Sequence, residues 1–276
     1  MGTHDGSWPA GTPCWVDTMA NDLDRSQAFY RAVLGWDFSG GGEEFGGYTN
    51  AEAGGRLVAG VMPTHPSMTE APKAWTVYLA TDNAAATAAA VEEAGGRIIS
   101  PVSQVGDLGA MAICNDSSGM PFGLWQAGSH AGFGLVDEPG SAAWLDLMTP
   151  SFAGAQEFYA QVFGYTYQAM GSTGQDYALF TVPGGERPAG GIGSASDALG
   201  EGWSVAFAVA SVDAAVAAVE AAGGTVTGQP YEFEFGRLAH ALGPDGESFS
   251  IFGPSADAGA DAGADAGADA GADATA

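Results

Sequence analysis

Two aspartates carry the clearest chemical signal, each standing two residues after a tryptophan. Trp15-Val16-Asp17 recurs as Trp144-Leu145-Asp146, 129 positions further on. A carboxylate beside an indole in a partly dry place has its charged form disfavoured unless donors compensate. Such a group can act as a general acid or base. It can equally hydrogen-bond nearby backbone amides as a purely structural group, and a position shared by two copies fits either duty. His240 is the third candidate, because histidine titrates near neutrality and suits proton transfer. The first copy has Ile113 there, so this polarity belongs to one half. Tyr48 and Tyr177 are wall residues, as ligand contacts or as packing. His4, His65 and His130 fall in terminal or loop segments and are given no role.

Positioning these residues is the work of an internal repeat, which is sought before any other pattern. Ala28-Phe29-Tyr30 through Leu34-Gly35-Trp36 returns as Glu157-Phe158-Tyr159 through Phe163-Gly164-Tyr165. Trp75-Thr76-Val77 returns as Trp203-Ser204-Val205, and Ala94-Gly95-Gly96 as Ala222-Gly223-Gly224. Two halves, 12–128 and 141–254, therefore share one fold, joined by a Gly-rich stretch.

Within the first half a local grammar is itself repeated. An alternating strand (Pro13–Met19) leads to an Asn21-Asp22 cap. A helix follows, with Phe29, Tyr30, Val33 and Leu34 at helical spacing, and stops at Gly35. Gly-rich hairpin strands come next, near Gly47–Ala51 and Arg56–Met62. Strand Ala74–Thr81, an Asp82-Asn83 cap and an Ala-rich helix ending at Gly95-Gly96 restart the cycle. Strands near Arg97–Ser100, Ala110–Cys114 and Phe122–Gln126 complete it. This predicts an α+β fold of four βαβββ units, with helices covering the outer face of two cupped mixed sheets.

Composition excludes several classes. The 276 residues carry 33 acidic and 7 basic side chains, a net charge of −26. One lysine and six arginines leave almost nothing to neutralise phosphates, so neither nucleic acid nor an anionic membrane is an expected partner. A 46% hydrophobic share supports a real core. Residues 255–276 repeat Asp-Ala-Gly-Ala and hold no aromatic or branched apolar side chain, which predicts a disordered acidic tail. Cys14 and Cys114 form no CxxC motif and read as buried apolar residues in a reducing compartment. With no apolar run of spanning length and no signal-like start, the expected location is the cytoplasm. No P-loop, GxGxxG after a strand, or G-x-S-x-G elbow is present.

Asp22-Leu23-Asp24-Arg25-Ser26, Phe29-Tyr30, Leu34-Gly35-Trp36, Ala80-Thr81-Asp82-Asn83, Gly95-Gly96 and Gly243-Pro244-Asp245-Gly246 resemble the vicinal oxygen chelate superfamily. That superfamily includes glyoxalase I, bleomycin-resistance proteins and extradiol dioxygenases. The tandem arrangement resembles actinobacterial glyoxalase-like proteins. The resemblance implies a small-molecule cup in each half. It also implies metal-ligand positions on the concave face, which here hold Trp15, Gly60, Thr76 and Gly123, and Trp144, Gly191, Ser204 and Ser250. None is His, Glu, Asp or Cys, so no metal and no other cofactor is expected. With Trp15 facing the cup, strand alternation brings Asp17 and Met19 with it, Tyr78 beside Thr76, Trp125 beside Gly123 and Phe252 beside Ser250. Cys14 and Cys114 then face the helices.

The functional expectation is a metal-independent enzyme on a small carbonyl-bearing or polycyclic metabolite, of isomerase, cyclase, lyase or hydration type. Asp17, Asp146 and His240 would move protons. Trp15, Thr76, Tyr78, Trp125, Trp144, Ser204, Ser250, Tyr48 and Tyr177 would line the site. The alternatives are a bleomycin-resistance-like protein that binds a small molecule without chemistry, and a protein kept for interactions. Two cups in one chain make a monomer credible, with a homodimer as the other option.

Overall fold

A computed structural model describes residues 2–65, 74–170, 176–196 and 200–255. The expected tail lies, apart from Ser255, outside the described residues.

The first unit is β1 (Pro13–Ala20), α1 (Leu23–Leu34), β2 (Asp37–Gly40), β3 (Thr49–Ala53) and β4 (Arg56–Pro63). The second is β5 (Thr76–Ala80), α2 (Ala84–Glu93), β6 (Arg97–Val105), β7 (Gly109–Asn115) and β8 (Pro121–Ala127). The second half repeats them as β9 (Ala142–Thr149), α3 (Phe152–Phe163), β10 (Thr166–Ala169), β11 (Tyr177–Thr181) and β12 (Gly190–Ser194). Its last unit is β13 (Gly202–Ala208), α4 (Val212–Ala221), β14 (Thr225–Val226), β15 (Tyr231–Phe233), β16 (Gly236–Leu242) and β17 (Ser248–Gly253). The short β2 and β10 were not legible as separate strands. Where the first half has one edge strand, β6, the second has two fragments. Gly228 and Pro230 fall in the break, and proline has no N–H to give a ladder.

Local chemistry sets the helix ends. Asp22 accepts from the Arg25 amide, Asn83 from Ala86 and Ser211 from Ala214. Gly35 ends α1 at φ 71°, a left-handed conformation that a side chain would oppose.

Each half builds its own sheet. The first runs β2-β3-β4-β1-β5-β8-β7-β6, and the second β10-β11-β12-β9-β13-β17-β16-β14, with β15 also on β16. The strands opening the units, β1 and β5 or β9 and β13, are antiparallel neighbours at the sheet centre. Both cups are therefore made within one half, without exchange of units.

The halves join through their helical faces, α1 on α4 and α2 on α3. Trp36 and Trp75 each meet the Phe207 ring at 5.2 Å, so one continuous core serves both sheets. Two reciprocal hydrogen bonds tie the acidic turns to the opposite half. Tyr30 Oη on α1 donates to Glu247 Oε1 at 2.7 Å, and Tyr159 Oη on α3 donates to Asp116 Oδ2 at 3.4 Å. Burial pushes both carboxyls above their ordinary range. Among the described residues no helix is long and apolar enough to cross a membrane.

Candidate functional site

The sheet register puts the candidate residues in rows. In the first half Gly60, Asp17 and Thr76 lie side by side across β4, β1 and β5. Trp15, Tyr78 and Gly123 form the next row across β1, β5 and β8. The second half repeats this as Gly191, Asp146 and Ser204, and as Trp144, Ala206 and Ser250, with His240 beside Ser250.

In the first cup Trp15 Nε1 donates to Tyr48 Oη at 2.8 Å, and Tyr48 Oη donates to Asp17 Oδ2 at 3.3 Å. Tyr48 stands one residue before β3 and reaches over Gly60, where a Cβ would lie 1.8 Å from its oxygen. Burial raises the Asp17 carboxyl to about 7, although Tyr78, Tyr48 and Thr76 all donate to it. This cup is filled by its own side chains. Trp15, Tyr78 and Asp17 are 4%, 5% and 8% exposed. The Tyr78 ring takes the space above Gly123, where a Cβ would lie only 2.1 Å from it. The linker between the halves adds a cover. His130, given no role from sequence, sets its ring edge-on to Trp15 at 4.6 Å and to Trp125 at 5.5 Å, and its carbonyl accepts from Trp125 Nε1. Phe133 follows at 5.7 Å from Trp15, its amide bonded to the Cys14 carbonyl. A cavity of about 160 Å³ beside Ser7, Trp8, Asp82 and Gln126 is lined by neither Asp17 nor Asp146 and is too small for a drug-sized ligand.

The second cup differs at the residues that fill the first. Ala206 replaces Tyr78, and Ser250 replaces Gly123. Trp144, Asp146, Tyr177, Ser204 and His240 are all half-buried. Trp144 Nε1 donates to Asp146 Oδ1 at 2.7 Å, and Tyr177 Oη donates to the same oxygen at 2.6 Å. Burial raises the Asp146 carboxyl above its ordinary value, with these two donors opposing the rise. Gly191 makes room for the pair, since a Cβ there would lie 2.0 Å from Tyr177 Oη and 2.3 Å from Asp146 Oδ1. Ser204 Oγ bonds the Asp146 backbone carbonyl, not the carboxylate.

His240 forms a second polar group. Its Nδ1 lies 2.9 Å from Ser250 Oγ, and its Nε2 lies 3.5 Å from Tyr231 Oη. Burial lowers its pKa, which favours the neutral ring at pH 7. Asp146 and His240 are not a hydrogen-bonded dyad among the described residues. Three strand spacings separate β9 from β16, ~14 Å along the sheet before curvature. Tyr231, on the broken edge strand, was missed from sequence because Gly228 and Pro230 interrupt the strand pattern just before it.

Neither donor set fits a divalent cation. Each cup offers one carboxylate already engaged by hydrogen-bond donors, and an indole N–H cannot ligate a metal. Among the described residues no three His, Cys, Asp or Glu side chains are grouped to hold one. Cys14 and Cys114 are fully buried in the core, and Cys14 Sγ donates to the Tyr78 carbonyl. Burial pushes both thiols up, against any nucleophilic use.

A sequence profile described as Glyoxalase/Bleomycin resistance protein/Dioxygenase superfamily matches residues 15–124 and again 141–251. This chain belongs to that superfamily. It is 35% identical over 254 residues to "Putative glyoxylase CFP32" of Mycobacterium tuberculosis, covering 89% of this chain and 95% of that one. It is 33% identical over 256 residues to anthracycline biosynthesis protein DnrV of Streptomyces peucetius, covering 87% and 92%. Among solved structures, the Mn(II)-bound glyoxalase from Novosphingobium aromaticivorans aligns with a TM-score of 0.63 at 16% identity, over 93% of this chain and 86% of that one. This last likeness shares the superfamily fold.

Proposed function

We propose that the second cup is a metal-independent acid–base site acting on a small carbonyl-bearing or polycyclic metabolite of secondary metabolism. The observation that carries this reading is Asp146, a carboxyl of raised pKa held by Trp144 and Tyr177 in the half-open cup. Both donors fall on Oδ1, which leaves Oδ2 to take or return a proton at a carbon beside a carbonyl. Neutral His240, held by Ser250, hydrogen-bonds a second oxygen of the ligand across the cup. The reaction class is proton transfer: isomerisation, cyclisation, elimination or hydration. Similarity to a protein named for anthracycline biosynthesis supports a polycyclic substrate. The protein acts in the cytoplasm, where its two buried cysteines stay reduced, as a monomer or homodimer.

A second reading is small-molecule binding without turnover. One observation favours it: the Trp-Asp-Tyr cluster recurs in the first cup, where it is sealed. Metabolite capture from the native host, read by mass spectrometry, supplies the ligand. Asp146→Asn then separates the readings. Lost turnover with retained affinity supports catalysis; an effect on affinity alone supports binding.

A further inference from the structure

The two cups place their aromatic mass differently. In the first, Trp15, Tyr78 and Trp125 fill the floor. In the second, Ala206 and Ser250 stand where the first has Tyr78 and Gly123, and further aromatic side chains stand at the rim. Tyr231, Phe233 and Phe235 are 45%, 39% and 64% exposed. Gly236, opposite Phe233, is the counterpart of Gly109; both have positive φ, and both lie against a cup ring, Phe252 or Trp125. By register the first cup has Ser103 and Val105 where the second has Tyr231 and Phe233.

Register places the rim on the concave face. Tyr231 pairs with Leu238, which pairs with Phe252, and Phe233 pairs with Gly236. Paired residues project to one side, so Tyr231 and Phe233 share a face with Phe252, Ser250 and His240. Ring contacts agree: Phe233 lies 5.9 Å from Phe252, and Tyr231 5.9 Å from His240. An aromatic wall thus continues from the floor of the cup to its edge, with the Tyr231 hydroxyl turned to His240.

We propose that Tyr231 and Phe233, extended by Phe235 at the turn, make the second cup selective for flat, fused-ring ligands whose hydroxyl or carbonyl is held by His240. This rests on the second cup being the ligand site. A wall of edge rings above a small floor rewards ring area by offset stacking, while a single ring seated on the floor does not reach Phe233. The span between Asp146 and His240 also matches several fused rings better than one.

Calorimetric titration of the full chain with two probes tests this. 1,8-Dihydroxyanthraquinone has three fused rings; 2-hydroxyacetophenone has the same hydroxyl–carbonyl pair on one ring. The three-ring probe should bind about tenfold more tightly. Phe233→Ala should weaken it about fivefold and leave the one-ring probe within about twofold. Equal affinity for the two probes, no binding of the larger one, or an equal loss of both in Phe233→Ala overturns the proposal. So does a Phe233→Ala/Phe235→Ala variant that shifts sedimentation but not probe affinity, since a second copy of the chain would then cover the rim. Ala206→Tyr/Ser250→Gly, which fills the floor as Tyr78 over Gly123 fills the first, should abolish binding of both probes. Binding that survives Ala206→Tyr/Ser250→Gly defeats the second-cup reading itself, whereas failure of Phe233→Ala defeats only the rim.

Discussion

The ring of Tyr78 occupies the place that a side chain on Gly123 would need, and in the matching row Ala206, which has no ring, pairs with Ser250. Exchanging these residues should exchange the states of the cups. Ala206→Tyr/Ser250→Gly, which restores the first cup's ring-over-glycine pair, should close the second and remove ligand-induced thermal stabilisation, while the protein stays folded. Tyr78→Ala should cost ~3–5 kcal/mol by leaving a cavity around Asp17. Urea unfolding of both variants, with and without ligand, reads this. Ligand stabilisation that persists in Ala206→Tyr/Ser250→Gly would contradict it.

Asp146→Asn keeps an acceptor for Tyr177 and Trp144 but cannot hold a proton for transfer. Turnover of the captured metabolite should fall ~10²–10⁴-fold, with ligand affinity little changed. Single-turnover assays beside equilibrium titration make the comparison. Equal turnover in both proteins would remove Asp146 from the chemistry.

Asp17 ties stability to pH. Its carboxyl is raised to about 7 by burial, so the fold favours the protonated form more than the unfolded chain does. The stability this group contributes is full below the ordinary carboxyl pKa and is lost as pH rises through about 7. Asp17→Asn cannot ionise, and the hydroxyls of Tyr48, Tyr78 and Thr76 can turn to serve an amide. The variant should gain ~1–3 kcal/mol over the natural protein at pH 8 and little at pH 4. Denaturation curves at the two pH values test the sign; parallel shifts at both would refute it.

Gly191→Ala introduces a Cβ 2.0 Å from the Tyr177 hydroxyl and 2.3 Å from the Asp146 carboxylate. The hydrogen-bonded pair must separate. Turnover should drop ~10-fold or more from this misplacement, and the pH midpoint of activity should move, since Asp146 loses a donor. An unaltered pH profile would count against Tyr177 as its positioning partner.

Dialysis against a chelator should leave melting temperature and turnover unchanged, because among the described residues neither cup groups three His, Cys, Asp or Glu side chains around one point. Stoichiometric zinc, manganese, nickel or iron whose removal abolishes activity would overturn the metal-independent reading.

Much of this was legible in the chain. The 129-residue offset, the helix caps at Asp22 and Asn83 and the alternation of β1 predicted two tandem cupped sheets and put Trp15 with Asp17 on one face. The unequal state of the cups was not read. It depends on Tyr78 and Ala206, which differ within an otherwise matching repeat, and on rings meeting across strands far apart in sequence. His130 looked idle because a loop residue's partners are set by the path of the linker. Tyr231 escaped because the break near Pro230 disguised its strand.

The bonds from Tyr30 to Glu247 and from Tyr159 to Asp116 have a consequence for the chain as a unit. Each lobe finishes the other's acidic turn, so a fragment severed near residue 130 would bare an ionisable carboxyl and a sheet of aromatic rings together. Being permanently mated within one polypeptide, the lobes need not stay interchangeable. One can solidify into a strut while the other keeps its hollow.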